Sequence, residues 1–213
     1  MSAAVDIGRA EIENALIERH GLEVYEKLKN ARVAVAGLGG LGSNIAMALI
    51  RAGVGELLLV DFDTVDITNL NRQNYYIKLL GMKKTDAARD ILLGINPYAN
   101  ITVKDVFVTA DNAALIFDGF DLVCEAFDRA ENKAMLVNAL LPLGKTLICG
   151  SGMAGYLSAN TVKTRKAADR LYICGDGVTD SAAVNGLMAP RVAVCAAHQA
   201  NMALRLILGE TEI

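Results

Sequence analysis

The chain has 213 residues, of which 53% are hydrophobic, and this is enough apolar material to fill one doubly wound α/β core. With 21 basic and 24 acidic residues the net charge is −3, which excludes the basic footprint of a nucleic-acid or membrane-surface protein. An apolar run of about 18 residues is absent and the N-terminal segment is charged, so we expect a cytoplasmic protein without a signal peptide or membrane span. Four scattered cysteines, at positions 124, 149, 174 and 195, are expected to be reduced.

Two short amphipathic helices are predicted at about residues 10–30. Apolar residues recur there at helical spacing, and Gly21 interrupts the pattern. The same segment contains two arginines, Arg9 and Arg19, and solvated surface charges are the ordinary role for both.

Residues 32–61 predict a strand, a glycine-rich turn, a helix and a second strand in direct succession. The short β-branched run at 33–36 suits a strand buried on both faces of a parallel sheet. The turn has the G-x-G-x-x-G spacing with one additional glycine, and its members are Gly37, Gly39, Gly40 and Gly42. Such a turn lets a phosphate approach the backbone, and the following helix directs free N–H groups at it. Asp61 ends the second strand where a carboxylate usually accepts ribose hydroxyls, so the unit is predicted to bind a nucleotide.

A long polar segment follows Asp61 and leads to a helix predicted at residues 83–95. Polar loops at the carboxyl ends of strands often hold functional residues, and here the candidates are Asp63, Asn69 and Arg72. Lys84 falls in the first helical turn, where the positive helix end disfavours a cation. It is either a solvated lysine or one that a bound polyphosphate compensates.

Strands are also predicted at residues 101–108 and 121–125, with a short helix near 112–117 between them. Asp128 comes just after the second of these strands, at the crevice where parallel sheets bind ligands. Its carboxylate either serves the ligand or caps the helix that begins near residue 131.

The pattern changes in the C-terminal half. A strand at 146–149 is followed by alternating residues at 156–164, typical of a half-exposed antiparallel strand, and by a short strand at 171–174. Residues 175–185 are expected to form a mobile loop, and a last helix is expected at 189–208. We therefore predict an α/β fold with a Rossmann-like doubly wound sheet, mostly parallel, with antiparallel strands in the C-terminal half. Residues 1–213 are expected to form a single domain.

The residues beside the predicted glycine turn favour chemistry at phosphorus. Hydride transfer needs an acid or base near the nicotinamide, and the two histidines, His20 and His198, lie in helices at the two ends of the chain. Arg72, Lys84 and Asp128 instead provide two cations for phosphate oxygens and a carboxylate for magnesium. A nucleoside triphosphate and Mg²⁺ are the predicted ligands, and a nicotinamide-dependent oxidoreductase remains an alternative.

Five motifs resemble those of the ubiquitin-activating-enzyme-like adenylyltransferases. They are GLGGLGS at 37–43, LVDFDTVDITNLNRQ at 59–73, GMKK at 81–84, DLVCEAFD at 121–128 and GLMAPRV at 186–192. Because the chain is short, it resembles the compact ThiF-type enzymes of this family most, and the MoeB type second. The resemblance implies ATP-dependent adenylylation of the C-terminal glycine carboxylate of a ubiquitin-like, ThiS-like sulfur carrier protein in thiamine biosynthesis. A molybdopterin-type carrier, or a non-catalytic scaffold that binds a carrier, are the alternatives within the family.

The resemblance also implies roles for individual residues. Gly39 and Gly40 are expected to lie against the nucleotide, Asp61 to hold the ribose, and Asp128 to hold magnesium. The phosphate ligands are expected to be Asn69, Arg72 and Lys84.

Three departures from the family pattern limit this transfer. The chain has no C-x-x-C pair, so zinc is not expected. The family's N-terminal arginine motif, which reaches the partner subunit's ATP site in a homodimer, is missing, and Arg19 is the candidate substitute, with Arg9 behind it. Cys174 is either the family's loop cysteine that forms a covalent adduct with the activated carrier or a small buried strand residue. A sulfur donor protein is a further expected partner.

Overall fold

A computed structural model of the chain describes residues 7–180 and 186–213. Two helices come first, α1 (Arg9–His20) and α2 (Leu22–Lys29). Gly21 separates them with a φ of 80°, a backbone conformation that residues with a side chain rarely adopt. The prediction of two short helices on either side of this glycine is confirmed.

Seven strands form one sheet in the order β3-β2-β1-β4-β5-β7-β6. The strands are β1 (Arg32–Ala36), β2 (Glu56–Asp61), β3 (Asn100–Asp105), β4 (Leu122–Glu125), β5 (Thr146–Gly150), β6 (Lys163–Ala168) and β7 (Leu171–Gly175). Every neighbouring pair is parallel except β6 and β7, which are antiparallel. The predicted Rossmann-like, mostly parallel sheet is confirmed.

Five helices cover the two faces of this sheet. They are α3 (Gly40–Ala52), α4 (Lys84–Leu93), α5 (Ala110–Ile116), α6 (Ala130–Leu140) and α7 (Ala189–Ile207). Strand β1 shows how the faces are divided: Val33 and Val35 join a core built with α2, α3, α4 and α7, whereas Ala34 and Ala36 join a core built with α5 and α6. This burial on both faces explains why β1 has no polar alternation.

Two strand predictions need correction. Residues 156–164 were expected to form a strand, but Tyr156 and Leu157 are exposed and Ala159–Thr161 form a 3-10 turn. The antiparallel strand is instead β6, which starts at Lys163. The strand predicted at 171–174 is confirmed as β7, which is antiparallel to β6 and parallel to β5. The strand predicted at 101–108 ends earlier, at Asp105, because the chain there turns toward the start of α5.

The segment expected to be a mobile loop is partly held by a buried ion pair. Asp176 accepts hydrogen bonds from the backbone N–H groups of Val178 and Thr179, at 2.9 Å each. It also pairs with Arg191 in the first turn of α7. Burial raises the pKa of Asp176, but the hydrogen bonds from Thr179 and Val178, with that from Arg191, outweigh it and hold the pKa below its ordinary value. Residues 181–185 of this prediction lie outside the described residues.

None of the helices in the described part of the chain is both long and apolar enough to cross a membrane.

Candidate functional site

The glycine turn at residues 37–42 needs its glycines for steric reasons. Gly37 has a φ of 92°, and a Cβ there would lie 2.9 Å from the carbonyl oxygen of Ala126. A Cβ at Gly42 would lie only 1.8 Å from the carbonyl oxygen of Gly37. The chain therefore passes directly from β1 into α3, whose N-terminus opens at the carboxyl edge of the sheet, the edge at which the parallel strands end.

Asp61 closes this turn from the end of β2. One carboxylate oxygen, Oδ2, accepts the backbone N–H of Leu38 at 2.6 Å, and the other, Oδ1, accepts the backbone N–H of Asp63 at 2.8 Å. The side chain is buried. Since each carboxylate oxygen has a further lone pair, Asp61 can hold the turn and still accept a hydroxyl.

Lys84 is buried and paired, so the interpretation as a solvated lysine is wrong. Only 5% of the residue is exposed, and its Nζ lies 2.8 Å from Oδ2 of Asp63, whose side chain is half exposed. The backbone N–H of Lys84 also donates to the carbonyl oxygen of Asp63 at 3.0 Å. Asp63 thus compensates a cation that sits at the start of α4, and an anionic ligand at this edge would compete with it.

Arg72 and Asn69 lie in the polar segment that crosses the carboxyl edge. Nη1 of Arg72 donates to the carbonyl oxygen of Thr68 at 3.0 Å and to Oδ1 of Asn71 at 2.8 Å. Its Cγ lies 3.5 Å from the position that a Cβ of Gly40 would take, so Arg72 borders the glycine turn. Asn69 accepts the backbone N–H of Asp66 at 3.0 Å, which closes a 3-10 turn (Ile67–Asn69).

Asp128 does not cap a helix. Helix α6 begins at Ala130, its N-cap residue is Arg129, and no side chain donates or accepts a capping hydrogen bond there. Asp128 is exposed and makes no hydrogen bond or ion pair with any residue that the structure describes. The capping alternative is therefore wrong, and the role as a metal ligand stays a prediction.

Two buried polar residues at the same edge had no role predicted from the sequence. Glu125, the last residue of β4, is 0% exposed and lies 3.0 Å from Nζ of Lys133. Gln73 is buried, with its Nε2 3.8 Å from the position of a Cβ at Gly39 and its Oε1 without a partner in the described residues. The sequence signals were an acidic residue inside the apolar run at 122–126 and a glutamine beside Arg72.

Burial controls the pKa of Glu125. The loss of solvent raises it, and the charge of Lys133, with hydrogen bonds from Lys133 and from the backbone of Phe127, opposes this rise without cancelling it. The ionised form of the Glu125 carboxyl group therefore depends on Lys133 as its neighbouring cation.

Cys174 lies in β7 and is 0% exposed, so the expectation of a loop cysteine is wrong. Burial raises the pKa of the Cys174 thiol to about 11, which keeps it protonated at neutral pH. Its Sγ lies 3.5 Å from Oγ1 of Thr164. The alternative of a buried strand residue fits this position, and the other three cysteines are also buried.

The N-terminal arginines and the histidines lie away from the glycine turn. Arg9 contacts Tyr98, just before β3, and pairs with Glu13, so it lies at the opposite, amino edge of the sheet. Arg19 is exposed near the end of α1. Nδ1 of His198 lies 3.0 Å from Oγ1 of Thr164 on the outer strand β6. Within one chain, none of these residues joins Asp61, Lys84 or Asp128.

The fold and this edge define an α/β protein with the Rossmann-like arrangement typical of nucleotide binding. A glycine turn, the buried cation of Lys84 and the carboxylate of Asp128, which has no partner among the described residues, lie at the ends of the parallel strands. The model of the ThiF family matches residues 12–213, and the chain belongs to this family. The resemblance found in the sequence is therefore confirmed.

Curated relatives agree with this assignment, and a solved structure shares the fold. The chain is 35% identical to the molybdopterin-synthase adenylyltransferase of Salmonella typhimurium, over 87% of this chain and 76% of that protein. It is 31% identical to the adenylyltransferase and sulfurtransferase MOCS3 of Culex quinquefasciatus, over 91% of this chain but only 45% of that protein. The chain thus spans less than half the length of such two-function relatives. The tRNA N6-threonylcarbamoyladenosine dehydratase TcdA of E. coli, solved with AMP, has the same fold, with a TM-score of 0.85 at 23% identity over 97% of this chain and 98% of that one.

Proposed function

We propose that the chain is an adenylation domain that transfers AMP from ATP to the C-terminal glycine carboxylate of a small ubiquitin-like sulfur carrier protein. One observation carries this proposal: the glycine turn, the buried Lys84 and the unpaired Asp128 meet at the carboxyl edge of one sheet. The names of the matched relatives support it, since several are adenylyltransferases. TcdA, which shares the fold, was solved with ATP as well as with AMP.

In the proposed reaction the carrier's carboxylate attacks the α-phosphate in line, an acyl-adenylate forms and pyrophosphate leaves. A carboxylate is already ionised at neutral pH, so the enzyme needs no general base. Its task is to position the two reactants and to neutralise charge. The backbone of Gly39 and Gly40 and the carboxylate of Asp61 are proposed to hold the nucleotide.

The phosphates are proposed to meet three side chains, Asn69, Arg72 and Lys84. Lys84 would exchange its bond to Asp63 for one to a phosphate oxygen. Because Lys84 is buried, its charge is poorly screened by water, and its attraction for the leaving pyrophosphate is correspondingly strong. Asp63 is half exposed and would turn toward solvent.

The residues present fit magnesium bound in the way that nucleotide enzymes bind it. No group of three or more histidine, cysteine or acidic side chains converges in the described residues, so a site made only of protein ligands is not built there. Magnesium usually takes one or two carboxylates and completes its shell with phosphate oxygens and water. Asp128 is proposed as that carboxylate, and the ion would neutralise phosphate charge.

The carrier is proposed to be of the ThiS type, and a molybdopterin-type carrier is the alternative that the name of the Salmonella relative favours. A homodimer, in which Arg19 or Arg9 of one copy reaches the other, and a sulfur donor protein belong to the same proposal. A role as a non-catalytic scaffold is disfavoured because Arg72, Lys84 and Asp128 occur together in the chain.

Pyrophosphate exchange into ATP tests the proposal. The protein is incubated with Mg-ATP, labelled pyrophosphate and either a ThiS-type or a molybdopterin-type carrier ending in Gly-Gly. Exchange is expected only when a carrier is present, and a carrier without its last glycine is the control. ATP binding without exchange on either carrier would refute the sulfur-carrier assignment, and binding of NADH in a spectral titration would favour the oxidoreductase.

A further inference from the structure

The turn that carries Asp128 lies against the glycine turn. The backbone N–H of Ala126 donates to the carbonyl oxygen of Ala36 at 2.8 Å. The carbonyl oxygen of Ala126 and the ring of Phe127 would lie 2.9 and 3.2 Å from a Cβ at Gly37. The course of residues 126–128 therefore determines both where the exposed Asp128 stands and how closely this segment meets the nucleotide site.

The buried side chain of Glu125 contacts this segment. Its Oε1 accepts the backbone N–H of Phe127 at 2.7 Å, and Nζ of Lys133 lies 3.0 and 3.1 Å from its two oxygens. Since Glu125 is fully buried and Lys133 is partly exposed, the lysine closes the carboxylate off from solvent.

A second contact ties Glu125 to the rest of the fold independently of its charge. Nε2 of Gln199 on α7 donates to the backbone carbonyl oxygens of Glu125 and Ile148, at 2.9 Å each. The end of β4 is therefore anchored through its backbone even without the carboxylate. This leaves the side chain of Glu125 free for a different task, the placement of the turn that follows.

We infer that Glu125 and Lys133 are a positioning pair that fixes residues 126–128, and thereby Asp128, for the adenylation reaction. This inference rests on the proposed function. A buried carboxylate that lost its cation would take up a proton or move toward water, and the bond to Phe127 would weaken. Displacement of a reacting or charge-neutralising group by about 1 Å costs on the order of a hundredfold in rate.

The test compares Glu125→Gln, Lys133→Met and Lys133→Arg. Glutamine keeps an oxygen for Phe127 but loses the charge, methionine removes the cation at similar length, and arginine keeps it. We expect the first two variants to lower kcat for pyrophosphate exchange about tenfold or more, while KM for ATP changes less than about threefold because the glycine turn and Asp61 are intact. Lys133→Arg is expected to restore most of kcat.

The matched control is Lys145→Met. Lys145 is buried, and its Nζ donates to the carbonyl oxygen of Phe120 at the amino end of β4, at 3.0 Å. Its loss is expected to lower the melting temperature and leave kcat of the folded protein unchanged. A merely structural role of Lys133 would make Lys133→Met behave in the same way, and that result would overturn the inference.

Hydrogen exchange separates this inference from the proposed function. In Glu125→Gln and Lys133→Met the amides of residues 126–128 are expected to exchange faster than in the parent protein, with little change in the strands. This readout needs no carrier and no turnover. The inference would be overturned by unchanged hydrogen exchange at the amides of residues 126–128, or by a kcat for pyrophosphate exchange within twofold of the parent in both variants. An inactive parent protein would instead refute the adenylation proposal.

Discussion

Asp128→Asn separates a role in chemistry from a role in folding. Asp128 is exposed and bonds to no described residue, so its replacement removes no contact, and the free energy of unfolding should change by at most about 0.5 kcal/mol. For a chain of this length that corresponds to a shift of about 2 °C or less in the melting temperature. Asparagine keeps the size and polarity of the side chain but is an uncharged and poorer magnesium ligand.

The expected result is a folded protein whose pyrophosphate exchange is slower by about a hundredfold or more, since charge stabilisation at a reacting phosphate is lost. Exchange is measured with carrier across a magnesium titration, and melting is followed in parallel. Asp121→Asn is the control, because Asp121 is also an exposed aspartate, just before the other end of β4, and its one ion pair is a 3.9 Å contact with Lys145. Near-normal exchange by Asp128→Asn at ordinary magnesium concentration would refute the metal assignment, and a melting temperature lowered by more than about 5 °C would refute the claim that Asp128 is unpaired.

Three further predictions concern other polar or buried side chains. Lys84→Met should lower pyrophosphate exchange about a hundredfold, because a poorly screened cation is lost, whereas Lys83→Met, which removes an exposed pair with Asp105, should not; equal rates in the two variants would contradict this. Cys174→Ser should retain exchange within about threefold in the folded protein, since a carboxylate of the carrier is the nucleophile; loss of exchange without unfolding would show otherwise. The lowered pKa of Asp176 means that its ionised form stabilises the fold above about pH 4 and that this stabilisation disappears as the pH falls through the folded-state pKa. Asp176→Asn should therefore be less stable than the parent in denaturant titrations at pH 7, and the difference should shrink as the pH falls below about 4. A difference that stays constant over this range would be inconsistent with the lowered pKa.

The first strand, the glycine turn and the second strand were predictable because their determinants are local. The close approach of Gly42 to Gly37 follows from the turn alone, and it requires glycine whatever surrounds it. An apolar run on both sides of such a turn indicates a strand buried on both faces. The position of Asp61 at the end of β2 follows from the same spacing.

The outermost strand of the sheet, β6, was less predictable. Strand β6 pairs only with β7, and most of its residues are exposed, so it has no hydrophobic alternation to reveal it. The alternating residues before it lie in turns instead. The two alternatives for Cys174 stayed open for a related reason: polar and glycine residues follow it in the sequence, and only the folded chain shows that β5 and α7 bury it.

The sequence by itself determined the βαβ unit, the α/β class and most of the charged residues at the carboxyl edge, Glu125 being the exception. Only the tertiary structure decided how those charges pair. Lys84 meets Asp63 across 21 positions, Lys133 meets Glu125 across eight, and Arg191 meets Asp176 across 15, each between different elements of the fold. The strength of such pairs depends on distance and burial, which follow from the packing of helices on the sheet rather than from any spacing in the sequence. For the same reason Asp128 could be read as a helix cap until the start of α6 was known.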